Sequence, residues 1–250
     1  MQTALSAGFI LAIVLWGVIS PDTMGPLFET ALATVTRNFG WFYLWVVLGM
    51  VVFVAFLAFS RYGNLKLGGD DDEPEFALGS WFSMLFAAGM GIGLVFFGVA
   101  EPISHYIEAP PGTVSNTPEA AGAAMRYTFF HWGIHPWAVY SAVALAIAFF
   151  QYRRGGVALV STVTDALPWP IVKHMGGFFN GLAVVATAFG VAASLGVGAL
   201  QINNGLNTVF GLQVSEASQI GIIVLATVMF LGSAVSGVTR GVKILSNANM

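Results

Sequence analysis

Residues Trp81–Ala100 read WFSMLFAAGMGIGLVFFGVA. No charged side chain interrupts the stretch, and its length matches the ~20 residues an α-helix needs to cross a hydrocarbon core of about 30 Å. Gly89, Gly91 and Gly93 alternate at its middle, among Ala87, Ala88 and Met90. Each glycine weakens a helix by about 1 kcal/mol relative to alanine. Together they invite local unwinding where neighbouring helices shelter the freed backbone groups. Two readings stand: small residues that let another helix pack closely, or a break at the bilayer midplane whose unwound carbonyls coordinate a sodium ion beside a solute. A dinucleotide fingerprint is excluded, because its last glycine would fall on Phe96 and no soluble strand-turn-helix unit surrounds it.

Five further apolar segments flank this one, at residues 4–19, 41–59, 129–150, 178–200 and 220–235. All are helix-length, whereas a transmembrane barrel is built from alternating segments of about ten residues. Hydrophobic residues make up 57% of the chain and charged residues 8%, with a mean hydropathy of +0.80; soluble domains carry about 25% charged residues. The expectation is an all-α integral membrane protein with about six transmembrane helices, residues 1–250 forming one transmembrane domain. The first segment lacks a basic leader and runs into Pro21 and Asp22 without a cleavage site, so it is read as a retained helix.

Cytoplasmic loops are enriched in Lys and Arg. Arg61, Lys66, Arg153, Arg154, Lys173, Arg240 and Lys243 fall on one side of a six-crossing path, opposed by Arg37 and Arg126. This predicts a multi-pass protein of the inner (plasma) membrane with a cytoplasmic N-terminus. The acidic run Asp70–Glu75 reads as a solvated linker, and residues 236–250 as an amphipathic segment on the membrane surface. A net charge of −3 without a polybasic patch argues against a nucleic-acid partner, and the absence of cysteine excludes disulfides and thiolate chemistry.

The fourth segment contains His131-Trp132-Gly133-Ile134-His135-Pro136-Trp137-Ala138-Val139-Tyr140. On a continuous helix Trp132, Trp137 and Tyr140 would lie at about 0°, 140° and 80°, within one arc. Pro136, which crowds the carbonyl of Trp132, predicts a kink there. Such rings suit a cation whose methyl groups deny it hydrogen bonds, at about 0.5 to 2 kcal/mol per contact; an aromatic belt at the interface is the other reading. Glu101 and His105 stand four apart after Pro102, which reads as an element boundary; a hydrogen-bonding role outweighs metal ligation or catalysis. His131, His135 and His174 have no catalytic reading. Ala186, Gly190, Ser194 and Gly198 form a small-residue stripe for close packing, with the hydroxyl of Thr187 one residue off it.

These stretches resemble the betaine/carnitine/choline transporter family. The resemblance rests on Ser80 through Gly93, the Glu101-Pro102 pair, and His131-Trp132 through Trp137 to Tyr140, and extends over essentially the whole chain. It implies two N-terminal extra helices followed by most of the first of two inverted five-helix repeats, the second being absent. It also implies that Trp132, Trp137 and Tyr140, with the backbone at Gly89, Gly91 and Gly93, bind a quaternary-ammonium or related zwitterion such as glycine betaine, choline or carnitine. Ala87, Ala88, Met90 and Thr187 are implied in sodium sites, and a homotrimer in the lipid bilayer is implied as the assembly. One departure stands out: where the family places a second hydroxyl four residues after Thr187, this chain has Val191. A sodium-coupled symporter is therefore expected, ahead of a sodium-independent exchanger, a channel or structural subunit, and an intramembrane enzyme.

Overall fold

The computed structural model describes residues 2–89 and 91–249, with backbone alone for residues 2, 3, 92 and 93, and all regular structure among them is helical. In chain order the first helices are α1 (Gln2–Ile19), α2 (Pro21–Phe59), α3 (Leu78–Gly89), α4 (Ile92–Ile107), α5 (Pro118–Trp132) and α6 (Ile134–Ala148). They are followed by α7 (Val160–Asp165), α8 (Pro170–His174), α9 (Gly176–Phe210), α10 (Glu216–Ser236) and α11 (Lys243–Asn249). A π-turn, Phe149–Arg153, extends α6, and another, Val238–Val242, leads into α11.

Among the described residues, four helical stretches are long and apolar enough to cross a membrane: Pro21–Phe59, Pro118–Arg153, Gly176–Phe210 and Glu216–Ser236. α3 and α4 together make a fifth if their bent pair is one span. The first predicted segment is helical but shorter, Ala4–Ile19. α2 begins at Pro21, well before the expected residue 41, because Pro21 and Asp22 suit a helix start and Thr30 can satisfy itself by donating to the Pro26 carbonyl at 2.7 Å. Its 39 residues would reach about 58 Å at 1.5 Å per residue. None of the most apolar window of α2 or α10 is buried within the chain. Surface of that kind on a water-soluble protein would drive association; in a bilayer it is the solvated surface.

A second boundary also differs from expectation. α4 continues through Pro102 to Ile107, so Glu101 and His105 lie inside a helix. A proline forfeits one backbone bond, here to the carbonyl of Gly98, while its neighbours keep theirs.

The chain folds as two compact units. The unit Met1–Asp72 with Phe130–Phe189 is organised by α2 packed along α6. Within it, Trp16 Nε1 donates to Thr23 Oγ1 at 2.9 Å across the α1–α2 corner. Asn180 of α9 accepts from the Ser161 backbone N–H at 2.9 Å and donates to Ser161 Oγ at 2.8 Å, fixing the start of α7. The unit Glu73–Phe129 with Gly190–Met250 is organised by α11 packed on α3, with Asn247 donating to Ser80 Oγ at 3.4 Å. The segment expected to lie along the membrane surface therefore has a helix of its own chain as partner.

In this second unit, Asn203 is fully buried at the end of α9. Its amide donates to the Gln213 carbonyl and accepts from the Ser215 N–H, each at 3.4 Å. The turn it braces passes through Gly211 at φ +71°, a left-handed position suited to glycine after a helix. Ser215 then caps α10 by accepting from the Ser218 N–H.

The loop after α2 is tied down by Arg153, which donates to the Gly68 carbonyl at 2.9 Å and to Asp70 Oδ1 at 2.6 Å. The Arg153 hydrogen bond and charge hold the Asp70 carboxyl below its ordinary value of 3.8. A carboxylate with a depressed native pKa stabilises the fold above its unfolded pKa and loses that contribution as pH falls through the native one. Cleavage of the 65–77 loop by an acid-active protease is therefore expected to rise as pH drops below 3.8, and Asp70→Asn, which removes the ion pair but not the Arg153–Gly68 bond, is expected to flatten that rise.

Candidate functional site

Two interruptions of apolar helix mark the motifs singled out in the sequence. The first separates α3 from α4. α3 ends at Gly89, and α4 restarts after Gly91, whose backbone is extended at φ −72° and ψ −176°. The helical axes differ by 41° across the break. The glycine-rich stretch thus interrupts the helix, although α3 also packs closely on α11. Ala87 and Ala88 occupy the last turn of α3. A helix's last turn leaves carbonyls without intrahelical donors and carries the negative end of the helix dipole, which suits a cation. Met90 lies outside the described residues, and for Gly93 the backbone alone is described.

The second interruption lies between α5 and α6, in the other unit, and it falls at Gly133 rather than at Pro136. Gly133 takes φ −86° and ψ −137°, and Pro136 becomes the third residue of α6. A proline in the first turn of a helix is tolerated because its missing N–H would have had no intrahelical partner there. The continuous-helix arc expected for Trp132, Trp137 and Tyr140 is therefore broken between Trp132 and the other two.

The break nonetheless keeps these residues together. Trp137 and Tyr140, one turn apart on α6, have ring centroids 5.9 Å apart at 44°. The Trp137 indole Nε1–H donates to the backbone carbonyl of Trp132 at 3.2 Å, across the interruption. Trp132 is half-buried, whereas Trp137 is 40% and Tyr140 69% exposed. Large aromatic surface is thus presented, with both rings of α6 on one side of it. His135 is engaged by Phe130, ring centroids 4.5 Å apart.

Thr187 belongs to the same unit as these rings. It lines an open cavity of about 590 Å³ together with Ser6, Ile147, Leu159, Asn180 and Gly181. Ser6 Oγ donates to the Gly181 carbonyl at 3.4 Å. Val191, four residues along α9, brings no second hydroxyl. Of the packing stripe on α9, Ala186, Gly190 and Ser194 are exposed and Gly198 is buried.

Glu101 and His105 share a hydrogen bond of 3.2 Å along α4, and the His105 ring stands 5.6 Å from that of Tyr127. His174 Nδ1 donates to the Pro170 carbonyl at 2.7 Å. Both are helix-bracing contacts between residues four apart. The sequence pattern did not single out Asn203, Asn180 or the Arg153–Asp70 pair. Arg153 had a signal as a charge at the end of an apolar segment, and Asp70 as the start of the acidic run read as a solvated linker, but not as a pair.

The model of the family described as "BCCT, betaine/carnitine/choline family transporter" matches residues 2–250. A glycine betaine transporter of Bacillus subtilis, OpuD, is 52% identical over 240 residues, covering 96% of this chain and 47% of the relative. A betaine/ectoine transporter of Corynebacterium glutamicum, LcoP, is 40% identical, covering 98% of this chain and 40% of the relative. An ectoine/hydroxyectoine transporter of Virgibacillus pantothenticus is 41% identical, covering 98% of this chain and 49% of the relative. The chain thus spans half or less of the length of these relatives.

Proposed function

Because this chain belongs to the betaine/carnitine/choline family of transporters, we propose that it contributes half of a secondary transporter for glycine betaine or a closely related zwitterion, driven by sodium. The observation that carries the reading is the aromatic pair Trp137 and Tyr140, 5.9 Å apart at the start of α6 beside an interrupted helix. Ring faces attract a methylated ammonium that cannot donate hydrogen bonds. Trp132 and the backbone at Gly89, Gly91 and Gly93 contribute the remaining contacts from this half. The names of the relatives support betaine as the first solute to test and ectoine as the second, with choline and carnitine as further competitors. Sodium is proposed at two sites, one on the backbone around Ala87, Ala88 and Met90 and the other at the hydroxyl of Thr187. A homotrimer in the plasma membrane with cytoplasmic N-termini completes the proposal.

Val191 favours a second reading, in which one sodium site is lost and the transporter exchanges solutes without an ion gradient. Uptake of radiolabelled glycine betaine by the full-length protein in vesicles separates the two. Replacing sodium by potassium on both sides is expected to abolish accumulation. Accumulation that persists unchanged removes the sodium coupling, while counterflow driven by internal betaine alone supports the exchanger.

A further inference from the structure

An open cavity of about 530 Å³ lies between Val95, Phe96, Val99, Ala100 and Ile103 of α4 and Gln201 of α9. It begins one turn past the break at Gly91 and lies within the second unit. Its volume, and an apolar wall carrying a single amide, are those of a small-molecule pocket. The Gln201 carbonyl oxygen Oε1 is buried and accepts no hydrogen bond among the described residues. An orphaned carbonyl is costly, and hydrocarbon holds no donor to relieve it. Two residues on, the fully buried Asn203 has partners for both ends of its amide, so the orphan is particular to Gln201. We propose that this cavity is a subsite for zwitterions whose charged nitrogen carries hydrogen, with the Gln201 carbonyl accepting that N–H. The last torsion of a glutamine side chain is soft and roughly two-fold, so the carbonyl turns into the cavity without moving the rest of the side chain. This assignment rests on the solute reading above and divides its two leading solutes. Glycine betaine carries only methyl groups and carbon on its nitrogen and has no hydrogen to donate, whereas ectoine is a cyclic protonated amidine whose ring nitrogens both carry N–H. Gln201 therefore favours ectoine without adding to the affinity for betaine, as a site built around a hydrogen bond rejects the analogue that lacks it.

The test is Gln201→Leu in the full-length protein reconstituted in lipid, titrated separately with ectoine and with glycine betaine. Leucine keeps apolar bulk and removes the acceptor. Ectoine affinity is expected to fall at least tenfold, the loss of one hydrogen bond to a charged donor, while betaine affinity changes less than twofold. Equal losses for both solutes, or no loss for ectoine, overturn the inference. Without solute, Tm is expected to hold or to rise by about 2 °C, because an orphaned acceptor has been removed. A fall in Tm overturns the inference by showing that a donor from the protein itself occupies the carbonyl. Gln201→Met, which also lacks the acceptor, carries the same test should the leucine variant not fold; failure of both to fold assigns the amide a structural role and overturns the subsite. A native protein that binds betaine but no ectoine overturns the subsite and leaves the solute reading standing, whereas one that binds neither overturns both.

Discussion

Replacing Trp132 and Trp137 together by leucine in the full-length protein is expected to weaken glycine betaine binding by about 5- to 700-fold. The estimate takes two cation–π contacts at about 0.5 to 2 kcal/mol each, with a tenfold change in Kd for every 1.4 kcal/mol. Leucine preserves apolar bulk, so a hydrophobic belt would tolerate the change. Calorimetric titration with betaine, and with the isosteric carboxylate in which a neutral carbon replaces the ammonium nitrogen, separates the effects. Loss confined to betaine supports ring–cation attraction, whereas equal loss of both assigns the rings a shape role. Unchanged binding of betaine would remove the two tryptophans from the site. Trp132 is half-buried, so the double variant should be checked for an intact thermal transition before titration.

Closing the break between α3 and α4 is expected to have the other large effect. Substituting Gly89, Gly91 and Gly93 all by alanine raises helix stability by about 1 kcal/mol per residue, on the order of 3 kcal/mol in total. That corresponds to a shift of about 100-fold toward a single straight span. The space beside Gly91 is open, with no heavy atom within 4 Å of an added Cβ, so alanine there meets no steric bar. Uptake by the triple variant should fall at least tenfold while its thermal stability holds or rises. Spin labels on α3 and α4 should report the loss of the 41° bend. A straightened helix with undiminished uptake would return the glycines to a packing role.

The apolar segments and the glycine interruption were legible because both depend on local chain properties: uninterrupted hydrophobic length and backbone propensity. Where expectation and structure part, the reason is positional. Pro136 was expected to kink the helix from within, but three residues into α6 its missing N–H costs nothing, and Gly133 takes the break instead. Pro102 was expected to mark a boundary, yet α4 runs through it. The first half of α2 carries Asp22, Glu29 and Arg37 among helix-forming residues, so a hydropathy count ended where the helix did not.

The candidate site was legible in its residue types and only partly in its geometry. Trp137 and Tyr140 were foreseeable as neighbours from their one-turn spacing. The hydrogen bond from Trp137 to Trp132 depends on how the chain turns at Gly133, and local pattern does not encode it. Asn203 and Asn180 escaped notice for a similar reason: an amide inside an apolar segment declares nothing until its partners at Gln213, Ser215 and Ser161 are known.

The corner between α9 and α10 bears on how such a chain enters a bilayer. Backbone groups at a tight turn are costly to carry through hydrocarbon unless they have partners. Here Asn203 engages Gln213 and Ser215, Asn207 donates to the Leu212 carbonyl at 2.9 Å, and Ser215 caps α10. All of these bonds are made within residues 203–218. During biosynthesis this corner can therefore form with its backbone groups already satisfied, without waiting for any later span to emerge from the ribosome.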